Sequence, residues 1–335
     1  MQNGYHRRAA LGSLKETKWD SAYVANYVLA NIVSTTMVKI CVQRLHFNFL
    51  TFICFSSAFL LFGICLIYRK LFSKSILWVP LRNLPGLMLP VLTIYAMLSM
   101  QIIMMQDDIR FAQTVRLTTC FNPAVLLLHR RITSTYKPRN YETVTALTIA
   151  FAAILANVHI FSSLEPLHCV AGVIWLIFHY ILFAWFEHFK QAKHLNAAHE
   201  LLTIFTALCA FSLFLFIIDS RLLEVFQYFE MNKHHSFPYI VFPALVFSIA
   251  WYVGSLIHCL TVVPVFTLSL ATASVPGIQL WFSFVVPMQY VLLDAWPRKV
   301  TVLAQFILLL SIVFYFERCS LDKWEKCRKR SIMNN

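Results

Sequence analysis

A run of about 20 apolar residues is long enough to cross the roughly 30 Å hydrocarbon core of a bilayer as a helix, and this chain carries such runs one after another. Ten can be marked, at 22–42, 48–68, 84–105, 109–128, 143–161, 169–187, 200–218, 239–259, 263–287 and 300–316. Inside lipid the backbone must satisfy its own N–H and C=O groups, so each run is expected to be helical. The division between the eighth and ninth runs is the least marked, since Thr261-Val262-Val263-Pro264 offers only a proline to separate them. Composition agrees: 59% of the 335 residues are hydrophobic and 13% are charged, against about 25% charged in ordinary soluble domains.

The formal charge of +13 would suit nucleic acid only if it formed a continuous basic face. Here the cations sit in short segments between the runs, where they orient membrane proteins instead. With the N-terminus placed in the cytosol, the inner segments hold twenty Lys and Arg, from Arg7 and Arg8 to Arg328, Lys329 and Arg330, while the outer segments hold six, namely Arg44, Arg110, Arg221, Lys233, Arg298 and Lys299. That bias predicts an even number of spans with both termini cytosolic. The opening MQNGYHRRAALGSLKETKWD has no cleavable apolar core and reads as a cytosolic tail, 1–21, with the first span as the targeting signal. Two five-helix halves follow, 22–161 and 162–316, and a basic tail at 317–335. An odd number of spans per half turns the halves over relative to each other, which is the inverted-repeat logic of secondary transporters. The expected fold is therefore an all-α membrane protein of ten transmembrane helices in two inverted five-helix repeats.

Enzyme and cofactor motifs are missing. His199-Glu200 lacks the second histidine of a zinc-protease helix, and the chain has no Walker loop, no GxSxG and no dinucleotide GxGxxG. The nine cysteines form no CxxC pair, and most lie in apolar runs, where a thiol behaves as a small hydrophobe. Neither an enzyme nor a bound cofactor is expected. His159, His179 and His258 lie in or near spans and suit helix-to-helix hydrogen bonding better than proton transfer.

Two intramembrane cations mark a candidate site. The stretch 111–128, FAQTVRLTTCFNPAVLLL, carries Arg116 and, near its middle, Asn122-Pro123. A buried arginine is costly and by default faces a polar cavity or a partner. Arg116 either meets an anionic solute or ties down the helix by bonding the carbonyl freed near Pro123, and the residues alone leave both open. Lys39 lies late in the first span and either snorkels to the interface or joins Arg116 in a shared vestibule. The small and polar run Ser269, Thr272, Ser274, Pro276 and Gly277 in the ninth span is the expected partner surface.

The segment TVRLTTCFNP resembles the fourth-helix arginine segment of the drug/metabolite transporter superfamily, in its nucleotide-sugar and triose-phosphate transporter branch. SLATASVPGIQLW resembles that branch's ninth-helix segment, which runs Thr…Gly-x-Lys, so Thr272 and Gly277 map onto it and Gln279 stands where the lysine would be. The closing run VLLDAWPRKVTVLAQFILLLSIVFYFERCS is similar in layout to a divergent Golgi group linked to UDP-N-acetylglucosamine transport. Val38 before Lys39, and AAHELLTIF in place of paired asparagines, depart from the branch pattern. The resemblance implies an antiporter in the Golgi or another secretory-pathway membrane, exchanging a nucleotide sugar for a nucleoside monophosphate. Its substrate-binding residues would be Arg116, Lys39, Gln279, Gly277 and Thr272. The partners would be that anionic solute and the bilayer, with a homodimer left open. The lost cations motivate the alternative, a transport-inactive membrane scaffold or trafficking protein.

Overall fold

The computed structural model describes residues 3–72, 84–107, 115, 117–133, 139–157, 166–192, 197–282 and 299–333, and among them there is no strand. In chain order the helices are α1 (Asn3–Lys39), α2 (Leu50–Phe72), α3 (Leu84–Asp107), α4 (Asn122–Ile132), α5 (Asn140–Asn157), α6 (Pro166–Ala192), α7 (Ala197–Ile218), α8 (Leu222–Met231), α9 (Phe242–Val262), α10 (Val265–Phe282) and α11 (Lys299–Met333). A π turn, Ile40–Arg44, continues α1, a second, Phe237–Val241, opens α9, and a 3₁₀ turn, Thr118–Phe121, opens α4.

Among the described residues, six segments are long and apolar enough to span a membrane: Ser21–Arg44, Leu50–Leu71, Gly86–Gln106, Cys169–His188, Phe237–Val262 and Lys299–Cys319. A seventh arises if Leu202–Ile218 and Leu222–Met231, bent by 87°, count as one. Asn140–Ala156 and Val265–Gln279 are apolar but shorter. α1 and α11 run helically into the segments that the sequence reads as cytosolic tails. Lys, Arg and Glu are good helix formers, so the basic end of α11 continues the helix it leaves.

The breaks have local causes. Val263 precedes Pro264 and takes an extended conformation, φ −88° and ψ 147°, as the clash with a following proline ring dictates; this divides α9 from α10. The π turn after α1 stops at His46, at φ 52°, where the Phe47 N–H bonds the Cys41 carbonyl at 2.9 Å. Phe47 is thereby turned inward to 0% exposure. It is ringed by Phe49, Phe52, Tyr228, Phe229, Phe237 and Phe242 at centroid distances of 5.0–6.5 Å, an aromatic plug over one end of the bundle.

α1 packs on α9, α2 on α7 and α9, α3 on α6 and α7, α5 on α11, and α4 with its 3₁₀ turn on α5, α6 and α10. A large apolar core joins α1, α2, α3, α6, α7 and α9. A smaller one joins α4, α5, α10 and α11, with Ala146, Ala152 and Ala153 on α5, small residues that let membrane helices approach closely. The outward faces are also apolar: Leu147, Phe151 and Ile154 on α5 and Leu303, Phe306, Leu310 and Val313 on α11 are exposed at helical spacing. Such stripes would drive aggregation in water and are at home against lipid. The chain is a helical multi-pass membrane protein.

Candidate functional site

Tyr27, Asn31 and Thr35 stand four residues apart on α1 and therefore share one face; all three are buried. Three residues in one helix with hydroxyl or amide side chains facing inward need partners, and they find them in series. The Gln101 amide of α3 donates to Thr35 Oγ1 (3.5 Å), and Thr35 donates to the Asn31 carbonyl (2.7 Å). Asn31 Nδ2 donates to the Tyr27 hydroxyl (3.4 Å). Thr272 spends its hydrogen on the Leu268 carbonyl (3.0 Å), so the contact between Tyr27 and Thr272 (3.0 Å) runs from the tyrosine. The chain of donors links α3, α1 and α10, and each member polarises the next. Beside it, Asn26 of α1 donates to Ser255 and accepts from the Trp251 indole, tying α1 to α9.

This network borders a narrow cleft lined by Asn31 of α1, Thr119 of the 3₁₀ turn, Trp175 and His179 of α6, Tyr252 of α9, and Thr272, Val275 and Pro276 of α10. Five elements meet there. Pro276 lies inside α10 and has no N–H, which removes the intrahelical donor for the Thr272 carbonyl. The 3₁₀ turn reaches the cleft because Gly172 on α6 lets it come close. Thr118 shares its hydroxyl hydrogen between the carbonyls of Val115 (2.6 Å) and Gly172 (3.1 Å), and a Cβ at Gly172 would sit 2.8 Å from Thr118 Cγ2. Trp175 and His179 are one turn apart, with ring centroids at 4.7 Å. His179 Nδ1 lies 3.0 Å from the Trp175 carbonyl; a carbonyl only accepts, so Nδ1 carries the proton and Nε2 of the neutral ring is the acceptor.

Further along α4 and α6 the helices are bolted together. Arg130 meets Glu187 Oε1 through Nη2 at 2.6 Å and Nε at 2.7 Å, and stands over the Phe266 ring of α10 at 5.7 Å. His129 Nδ1 contacts the Tyr180 hydroxyl at 2.7 Å.

Of the residues picked from sequence, Thr272 lines the cleft. Arg116 lies outside the described residues, as does 109–114 of the expected fourth span; Thr119, three residues on, lines the cleft. Lys39 ends α1 at 5% exposure, buried rather than snorkelled to an interface. It lies eight residues beyond Asn31, roughly 12 Å along the axis, and is not among the lining residues. Gln279 is buried on α10, also off the cleft wall. Gly277 faces α11 instead: a Cβ there would lie 2.8 Å from Gln305 Oε1. Sequence reading passed over Trp175, Tyr252 and Thr119; His179, read as suited to hydrogen bonding between helices, bonds the Trp175 carbonyl of its own helix through Nδ1. The signal for the α1 face was present, as three hydrogen-bonding side chains at a spacing of four. Among the described residues no group of His, Cys, Asp and Glu could hold a metal ion.

No protein-family model matches the sequence, and no curated protein does. Fold and cleft define the class reached here: a helical multi-pass membrane protein with a polar cleft where five of its elements meet.

Proposed function

We propose that the protein is a secondary transporter built of ten spans in two inverted five-helix halves. It resides in the Golgi or another secretory-pathway membrane and exchanges an anionic organic solute, a nucleotide sugar such as UDP-N-acetylglucosamine, for a nucleoside monophosphate. The observation that carries the reading is the polar cleft, walled by α1 and the 3₁₀ turn from the first half and by α6, α9 and α10 from the second. A site between two halves is what alternating access requires, since rocking one half against the other opens it first to one side and then to the other.

The packing pattern supports two related halves. Exchanging each span with the one five later pairs α1 with α6, α2 with α7, α3 with α9, α4 with α10 and α5 with α11. The contact of α1 with α9 then becomes that of α6 with α3, α2 with α9 becomes α7 with α3, α4 with α5 becomes α10 with α11, and α4 with α6 becomes α10 with α1. Three further close pairs, α2 with α7, α4 with α10 and α5 with α11, map onto themselves, and each of these contacts occurs, while α6 with α10 and α9 with α10 have no comparably close counterpart among the described residues of the first half.

In this reading Arg116 and Lys39 serve the phosphate groups, Thr272 lines the path, and Gln279 and Gly277 shape α10 beside it. The competing reading, a transport-inactive scaffold, draws on one observation: among the described residues lining the cleft none is charged. Proteoliposomes loaded with UMP separate the two. Exchange that is saturable, needs internal UMP and falls about tenfold or more in Arg116→Ala is the expected result. No uptake of any sugar nucleotide favours the scaffold, and undiminished exchange by Arg116→Ala removes that residue from the site.

A further inference from the structure

The outward face of the second apolar core is not smooth. Between α5 and α11 it opens into a groove of about 260 Å³, lined by Val144, Thr145 and Thr148 of α5 and by Ile307, Leu310, Ser311 and Phe314 of α11. Val144, Leu310 and Phe314 are exposed along its walls, while Thr145, at 1% exposure, lies at its floor. Ile307 to Phe314 covers roughly 10 Å of helix axis.

Three hydroxyls line this apolar space, and two of them are spent. Thr148 donates to the Val144 carbonyl at 2.9 Å and Ser311 to the Ile307 carbonyl at 2.8 Å, each one turn back on its own helix. Thr145 makes no such bond, and its Oγ1 has no hydrogen-bond partner among the described residues. A buried donor without an acceptor is costly, and hydrocarbon holds no water to relieve it.

One end of the groove is cationic. Ile307, Ser311, Phe314 and Arg318 follow at spacings of four, three and four, so they share one face of α11. Arg318 is exposed, and its guanidinium stands over the Phe314 ring at 5.4 Å, at the rim of the groove. α5 begins at the same end, where Tyr141 meets Tyr315 at 5.8 Å and the Arg139 guanidinium donates to the Tyr141 hydroxyl at 2.7 Å. Of the acids nearby, Glu142 accepts the Arg139 backbone N–H, and Glu317 is exposed beside Arg318. Beyond them α11 continues through Lys323, Lys326, Arg328, Lys329 and Arg330, which outnumber Asp322 and Glu325. The charge bias of the sequence assigns this end to the cytosol, where the leaflet carries anionic lipid that basic segments attract.

We infer that the groove between α5 and α11 is a binding site for an anionic glycerophospholipid. One acyl chain fills the groove, an ester carbonyl accepts the Thr145 hydroxyl, and the phosphate lies between Arg318 and Arg139. The site is separate from the cleft and stands whether or not the protein carries a solute.

The test follows lipid retained by the purified full-length protein in native mass spectrometry, with phosphatidylserine or phosphatidylcholine of identical chains added from detergent. The wild type should hold phosphatidylserine about tenfold more tightly, and glycerophosphoserine, the headgroup without chains, should not compete. Arg318→Gln should bring the two lipids within about twofold of each other. Thr145→Val should weaken both by about threefold or more, and Leu310→Trp, which fills the groove from an exposed wall position, should weaken both further. An unchanged melting temperature without added lipid shows that Arg318→Gln and Leu310→Trp fold normally. A wild type that holds both lipids alike overturns the site, as does an Arg318→Gln protein that keeps the preference, or a Thr145→Val or Leu310→Trp protein that retains lipid as well as the parent. Competition by glycerophosphoserine would reveal a phosphate site without a chain groove, and a lipid-free dimer abolished by Leu310→Trp would give this face to a second copy; either result also overturns it.

Discussion

Gly172 and Gly277 look equivalent on paper, each in a membrane helix with a Cβ position blocked at 2.8 Å. The blocking atoms differ. At Gly277 it is the far end of Gln305, a side chain that can swing away, whereas at Gly172 it is the methyl of Thr118, a β-branched side chain stiff at χ1 and held by two carbonyls. Gly172→Ala should therefore cost about 1–3 kcal/mol of overpacking, and Gly277→Ala less than about 1 kcal/mol, read as thermal unfolding of the purified proteins in one detergent. Equal losses would contradict the packing described. Gly277 stood out in the sequence because it closes a run of small residues; Gly172 did not, because its burden comes from Thr118 on a different element. Trp175 was hidden for the same reason. A tryptophan in an apolar span looks like any other lipid or core residue until its N–H is found without an acceptor. Thr272 was legible, since a threonine beside Pro276 in a small-residue run marks a place where a membrane helix carries polar work.

The corner between α7 and α8 is an element set by one carboxylate. Asp219 accepts from Thr51 of α2 through Oδ2 and from the Arg221 backbone N–H through Oδ1, so the 87° bend is fastened to the start of a neighbouring helix. The Thr51 hydroxyl first, and then the Arg221 N–H, hold the Asp219 carboxyl below the usual carboxylate range. A carboxylate with a lowered folded-state pKa stabilises above its unfolded pKa, and that contribution is lost as pH falls through the folded value. Unfolding of α7–α8 by acid should thus begin in the carboxylate range, and Asp219→Asn should flatten the pH dependence of the melting temperature there. An unchanged profile would mean that another group fastens the corner. The division at Pro264, the least marked in hydropathy, falls where the local chemistry puts it, a proline acting on Val263. α8 was not legible, since a ten-residue helix in a polar connecting segment carries neither the length nor the apolar run of a span. The continuation of α1 and α11 beyond their apolar runs was not addressed by hydropathy, which marks where a span lies and not where its helix ends.

At the scale of the whole molecule, hydropathy fixes what kind of solvent the chain meets and leaves the count of crossings to geometry. Among the described residues six helices, or seven with the bent pair, meet the length and hydropathy of a span, while α5 and α10 are shorter and α4 begins only at Asn122. Those shorter helices are nonetheless buried in the second apolar core, and α10, with the 3₁₀ turn before α4, lines the cleft. The pattern of packing partners was not visible in the residues, because no sequence repeat marks it. It is a property of contacts between elements far apart in the chain.

Alternating access to the cleft is the claim on which the account turns, and Thr272 is the place to read it. A protein with its native cysteines replaced by alanine and Thr272→Cys introduced should react, in sealed proteoliposomes, with a membrane-impermeant thiol reagent applied to either side, and UDP-N-acetylglucosamine should protect it from both. Reaction from one side only, or from both sides without protection by any sugar nucleotide, would contradict a transport site between two rocking halves.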